Sequence, residues 1–375
     1  MAQACLLSSS LFADHDMKNH HRSMLYGAVL LLASTIAACG GGGGGNGGGS
    51  GNGGGGGGSG TSSSAGDSAG TPKNLPAVQS VVDQSNYVKA AAHAYMAPQS
   101  LVGVIGLSND LVLGVSVKTK AFGLAALATD VLRQLVDSQT ATVTAVAHSS
   151  SCPSGGTVKV SSSGDSLDNM KPGDVATVEA SNCGVSGLKI NGSLTLTLKE
   201  GNLASFQTGE SPSVMQFQFS GLSLVSGTEA GLIDGDLTTK ATQTSAGDIT
   251  LVLSGTSLRT ILKEDDVLVT DRTLSGFEYV TNAAAENLTA SMNCTLIASS
   301  SSAKDLRLGV ETVTPFVHQA EDNPMSGSML VTGAASSVTI TAVDAASVRL
   351  DLSARGDGVI TESQTMSWTE FKKSF

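Results

Sequence analysis

Across residues 141–375, apolar and polar side chains alternate in short runs. Val158 and Val160 are spaced this way, as are Leu194, Leu196 and Leu198, and Met215, Phe217 and Phe219. The pattern returns at Val338 and Ile340, at Val348, Leu350 and Leu352, and at Met366 and Trp368. A period of two puts alternate side chains on opposite faces of a strand, so the runs predict strands with one face buried. A dozen or so are separated by Gly, Ser, Asn and Asp, and such short connections suit antiparallel neighbours. The expected fold is mainly β: a curved antiparallel sheet or barrel-like meander, with a small N-terminal helical segment packed on it.

The helical segment is residues 76–140, where the period is longer. Residues 86–97 hold strong helix formers, with Ser85 as a candidate cap and Pro98 as a stop. Residues 101–117 are apolar, but Asn109, Asp110 and several glycines interrupt them, which predicts a broken segment buried in protein. Leu124, Leu127, Val131, Leu132 and Leu135 then form one apolar helical face.

Within the β region an apolar residue followed by Ser, Asn or Asp and then Gly recurs at Gly192, Gly221, Gly235, Gly255, Gly276 and Gly327. The spacing is too irregular for a solenoid repeat. Alternation runs on through these glycines, which places them inside strands where a sheet bends rather than at hairpin tips.

The N-terminal third has a different character. Residues 24–36 are an uncharged, mostly apolar run preceded by Lys18, His20, His21 and Arg22, the order of a signal peptide and too short for a comfortable membrane span. Ile36, Ala37, Ala38 and Cys39 follow, and this sequence resembles the lipobox of bacterial lipoproteins. The resemblance implies a signal at 17–38, cleavage before Cys39, acylation of Cys39, and membrane attachment through its acyl chains. Gly40 at the second mature position, by resemblance to lipoprotein sorting, implies the outer membrane. Residues 1–16 fit no part of a signal and read as a mis-assigned start.

From 40 to 60, 17 of 21 residues are glycine, so 39–75 reads as a lipidated cysteine followed by a flexible Gly/Ser-rich linker. A coil of about 36 residues reaches roughly 30–36 Å. Residues 66–70 match G-x-S-x-G, but a nucleophile elbow needs a strand before the serine and a helix after it, and low-complexity coil supplies neither.

A net charge of −11 with no basic run disfavours nucleic acid or an anionic lipid surface as a partner. Of the five cysteines, Cys152 and Cys183 border strands, and an export signal places them where disulfides persist; that pair is the expected bridge, with Cys294 a buried thiol. The absence of C-x-x-C and of a histidine cluster gives no metal or cofactor site. His93, His148 and His318 read as isolated surface or cap residues, and no nucleophile and base are paired in sequence.

The run C-P-S-G-G-T-V from Cys152, continuing through G-D-S-L-D, P-G-D and N-C to I-N-G-S-L-T-L-T-L, resembles a module of uncharacterised proteobacterial lipoproteins. The tail P-M-S-G-S-M-L-V-T-G, S-V-R-L-D-L, G-D-G and T-M-S-W-T-E-F resembles the end of the same proteins. Relatives in that family carry Asp-rich loops that suggest calcium. This chain has Ser161, Ser163 and Asp165 in one such loop and Ser353, Arg355 and Asp357 in the other, so polar hairpins are expected instead. The family supplies no activity. The expected function is a lipid-anchored envelope protein serving as a non-catalytic binding or structural module, with an apolar ligand or another envelope protein as its partner. The alternatives are a carrier holding a lipid in an open barrel, and a lipid-anchored hydrolase without a recognisable motif.

Overall fold

The alternation in 141–375 resolves into fourteen strands. The computed structural model describes residues 79–98, 100–101, 148–164, 170–185, 187–202, 212–244, 248–284, 287–301, 303–319 and 323–375. The expectations for the signal, Cys39, the linker, the G-x-S-x-G match and the apolar run after Leu101 lie outside the described residues.

In chain order the strands are β1 (His148–Ser151), β2 (Thr157–Ser162), β3 (Val175–Val185), β4 (Leu188–Glu200), β5 (Ser213–Ser226), β6 (Glu229–Gln243) and β7 (Ile249–Glu264). They continue as β8 (Val267–Ala284), β9 (Asn287–Ser300), β10 (Leu306–Gln319), β11 (Ser326–Gly333), β12 (Ser336–Ala342), β13 (Ser347–Ser353) and β14 (Glu362–Ser367). Among the described residues two helices, α1 (Tyr87–Tyr95) and α2 (Trp368–Lys373), precede and follow them. Each strand pairs antiparallel with its neighbours in sequence, giving one sheet ordered β1 to β14. β1 and β14 are its edges, so the sheet is open and does not close into a barrel.

One face carries the core. Ile233, Thr260, Arg272, Ala298 and Leu306 are successive cross-strand partners from β6 to β10, and all are buried. A second buried row runs Leu198, Met215, Thr239, Leu253, Tyr279 and Met292. The Arg272 guanidinium reaches the Met96 carbonyl just after α1, which fixes this face as the one bearing the helix. α1 lies over β10–β13 and α2 against β13 and β14.

The six glycines all fall within strands, as their sequence context predicts. Gly192, Gly221, Gly235 and Gly276 stand at register shifts, and each has positive φ. A Cβ on Gly192 would overlap the Gly221 carbonyl oxygen, and one on Gly235 would overlap that of Ser257. The polar residue before the glycine has its own task. Asn191 Oδ1 accepts from Asn182 N–H at 2.7 Å in the neighbouring bulge, and Asp234 Oδ1 accepts from Gly221 N–H at 2.8 Å. Asp236, on the other side of Gly235, accepts from Thr256 and Ser257 N–H at 2.8 and 3.0 Å. The ladder donors of Asn182, Gly221, Thr256 and Ser257 are thereby satisfied, and bulges in adjoining strands bend a sheet across its width.

Three details correct the sequence reading. Ser85 does not cap α1: Asn86 is the N-cap residue with no side-chain cap bond, while Ser85 Oγ donates to Asp83. Pro98 is itself helical, at the start of a new turn where a missing N–H costs nothing, and α1 already ends at Tyr95. Trp368 is the first residue of α2 rather than a strand residue, because Ser367 and Glu370 form a capping box that starts a helix there. Among the described residues no helix is long and apolar enough to cross a membrane.

Candidate functional site

The Cys152–Cys183 disulfide is present, with a Cα–Cα distance of 5.3 Å across a sequence separation of 31. It fastens the turn after β1 to β3, where Ser154 N–H also donates to the Gly184 carbonyl at 2.7 Å. Cys294 is free and buried on β9, and burial pushes its thiol up to about 12.

The Asp-rich resemblance ends in hairpin chemistry. Asp351, on β13, accepts from Arg349 Nε at 2.9 Å and from Ser363 Oγ at 2.6 Å. In the following loop Asp357 Oδ1 accepts from Ser353 Oγ at 3.3 Å and from Val359 N–H at 3.0 Å. Arg355, Gly356 and Asp357 are exposed in this loop. Ser161 and Ser163 lie at the end of β2, and Asp165 is outside the described residues. Among the described residues no group of three or more His, Cys, Asp or Glu side chains could hold a metal ion.

The histidine expectation fails in two cases: His93 and His318 are both buried, while the His148 side chain is outside the described residues. His93 sits on α1, a helix buried nearly all round, with Ala90, Ala91, Ala92 and Ala94 for neighbours. Small side chains let the helix approach the sheet closely, and His93 is carried in with it. Its Nε2 lies 3.4 Å from Ser300 Oγ on β9, its ring packs edge-on to Phe375 at 4.8 Å, and its Nδ1 has no partner. Burial, followed by the positive charges of Arg272 and Lys89, lowers its pKa from 6.5 to about 4.

Beside it stands Arg272, a residue that sequence reasoning passed over. Arg272 is only 3% exposed, and burial lowers its pKa to about 10. Nη1 donates to the Met96 carbonyl at 3.1 Å and to Ser100 Oγ at 3.3 Å, and the Phe375 ring lies 4.3 Å from Cζ. Nε and Nη2 have no acceptor, and neither does the nearby Thr270 Oγ1. The signal was present in the alternation: Thr270, Arg272 and Leu274 are in phase, so the arginine occupies a core position of β8.

A pocket of about 360 Å³ opens next to this cluster, lined by Glu264, Asp265, Val267, Leu268, Val269, Ser300, Ser301 and Phe375. Beyond it an aromatic cluster closes the helix-bearing face, with Tyr95 packed on Phe316, Trp368 and Phe371 at 5.0–5.6 Å between ring centres.

The Ser300–His93 contact is a serine beside an imidazole, but what a nucleophile pair requires is missing around it. No carboxylate orients Nδ1, and a pKa of about 4 makes the ring a weak base at neutral pH. Among the described residues the acids with clearly shifted pKa, Asp83 and Asp344, are both lowered, chiefly by hydrogen bonds from Ser85 and Ser347 in their turns. A general acid would need the opposite shift.

The arrangement defines an open, all-antiparallel β meander with a buried apolar face and a buried polar cluster where β8 and β9 meet α1. No family model, characterised protein or solved structure matches the chain.

Proposed function

We propose that the protein is a lipid-anchored cell-envelope protein, acylated at Cys39, whose sheet is a non-catalytic binding or structural module held off the outer membrane by its glycine linker. The observation that carries the module reading is the burial of successive cross-strand rows from β4 to β10: along these described residues the apolar side chains are shut off from solvent instead of lining an open hollow of the kind a lipid carrier needs. The Cys152–Cys183 bridge supports an extracytoplasmic address, because disulfides persist in oxidising compartments.

Envelope fractionation of the wild type and of Cys39→Ser tests the anchor. The wild type is expected in the outer-membrane fraction, and the variant is expected to lose that attachment; equal membrane association of both refutes the anchor. The hydrolase alternative has the Ser300–His93 contact in its favour. A fluorophosphonate probe distinguishes the two readings. The module reading expects no labelling, and labelling lost in Ser300→Ala establishes a hydrolase in its place.

A further inference from the structure

Among the described residues, four of the seven buried side-chain nitrogen and oxygen atoms that lack a partner belong to one neighbourhood: Arg272 Nε, Arg272 Nη2, Thr270 Oγ1 and His93 Nδ1. Elsewhere on the same strand pair, Arg259 shows what such an arginine edge does when an acid is available. Its Nε donates to Asp271 Oδ1 at 3.0 Å and its Nη2 to Asp271 Oδ2 at 2.7 Å, a two-pronged grip on one carboxylate. Arg272 presents the same two nitrogens, and no described acid pairs with them.

A buried guanidinium without an anion is unfavourable, since burial removes water and nothing replaces its charge compensation. It keeps its proton at neutral pH, with a pKa of about 10. The cation–π contact with Phe375 and the two bonds from Nη1 compensate only one edge and one face.

The pocket adds a route. Ser300, a pocket-lining residue, is the cross-strand partner of Thr270, and Arg272 is the next residue on that face of β8. Phe375 both lines the pocket and lies against the guanidinium, so its ring is the partition between them. Val267, Leu268 and Val269 give the pocket apolar lining beside the polar Glu264, Asp265, Ser300 and Ser301, so it suits an amphipathic ligand, and its volume of about 360 Å³ is at the small end of ligand sites, which span roughly 300–1,000 Å³.

We propose that Arg272, with Thr270 and Ser300 beside it, binds the carboxylate of a small amphipathic acid whose apolar body occupies the pocket once the Phe375 ring swings aside. A planar carboxylate matches the Nε and Nη2 edge in the way Asp271 matches that of Arg259. Thr270 and Ser300 supply hydroxyls, and His93, neutral at pH 7, adds no competing charge. Glu264 and Asp265 at the rim repel an anion in solution, so salt is expected to speed association rather than slow it. The inference deepens the binding-module reading and is independent of the anchor.

The test uses the full chain carrying Cys39→Ser, with decanoate as the probe and decanol, acetate and inorganic phosphate as controls. Calorimetry is expected to give decanoate an affinity at least tenfold above that of decanol and of both small anions. Arg272→Met reduces decanoate to the decanol level, and Arg272→Lys, a charge without the fork, falls between. The idea is overturned if decanoate does not bind, if it binds no better than decanol, if a small anion binds as tightly, or if Arg272→Met leaves its affinity unchanged. Should Arg272→Met fail to fold, the wild-type Arg272 Nε–H resonance still decides: decanoate moves it and decanol does not, and a resonance indifferent to decanoate sinks the site. Phe375→Ala removes the partition and is expected to raise the association rate; an unchanged rate contradicts the role given to the ring. Failure of all these outcomes with Cys39 still holding the wild type in the membrane fraction would leave the anchor standing.

Discussion

Burial of single polar side chains gives the most specific chemistry in this protein. His93 binds fewer protons folded than unfolded between pH 6.5 and about 4, because its folded pKa lies below its ordinary one. Its stability contribution is therefore complete above pH 6.5, declines as pH falls through that window, and levels off below about 4. The loss amounts to roughly 3 kcal/mol at about 1.4 kcal/mol per pH unit. Urea midpoints measured from pH 7 to 4 are expected to fall more steeply for the wild type than for His93→Gln; parallel curves would show that burial does not hold His93 neutral. Cys294 yields a second prediction. With its thiol buried and raised to about 12, it is expected to resist a thiol-specific reagent in the native state and react fully in denaturant. Prompt native reactivity contradicts its placement. Neither the partner of His93 nor that of Arg272 could be read from the sequence. His93 and Ser300 are 207 positions apart, and Arg272 and Met96 are 176 apart, so only the sheet's register brings them together.

The strands and their glycines were far more legible. Two-residue alternation marks which side chains enter the core because a strand offers only two faces, and Phe217 and Phe219, or Leu350 and Leu352, are buried as their phase requires. The apolar–polar–glycine triplets foretold glycines inside strands where the sheet bends, although not that four of them would stand at bulges or that Asn191 and Asp234 would accept from the freed N–H groups of neighbouring strands. Trp368 escaped that reading because Met366 and Trp368 are in strand phase while the capping box at Ser367 turns the chain into a helix. The bulges predict a contrast between two glycines. Gly235, at φ +120° with the Ser257 carbonyl oxygen in the space an added Cβ would need, is expected to lose roughly 1–3 kcal/mol or more as Gly235→Ala. Gly221 is left-handed at φ +54° with open space around it, so Gly221→Asn is expected to change the unfolding free energy by about 0.5 kcal/mol or less. Equal losses at the two sites would mean that close strand approach is not what fixes Gly235. Replacing both cysteines of the Cys152–Cys183 bridge with serine is expected to cost about 3–4 kcal/mol by loop entropy, read from the shift in urea midpoint. A double variant as stable as the wild type would make the bridge incidental.

At the scale of the whole molecule the sheet is a meander of sequence neighbours, β1 to β14, and this simple order is why its architecture could be anticipated. Openness could not be anticipated, since whether the first and last strands meet depends on accumulated twist and bend that no local pattern records. Helices α1 and α2 cover the β10–β14 end of the buried face, and the polar cluster of His93, Arg272 and Ser300 lies where α1 meets β8 and β9. Placed behind a glycine-rich linker and an acylated Cys39, such a module would be presented to the envelope rather than embedded in it. Intact mass spectrometry of the protein isolated from bacterial envelopes tests this most directly. The account predicts a chain that begins at Cys39 and carries the mass of its acyl chains, with Cys152 and Cys183 oxidised. A chain that begins elsewhere, or an unmodified Cys39, would contradict it.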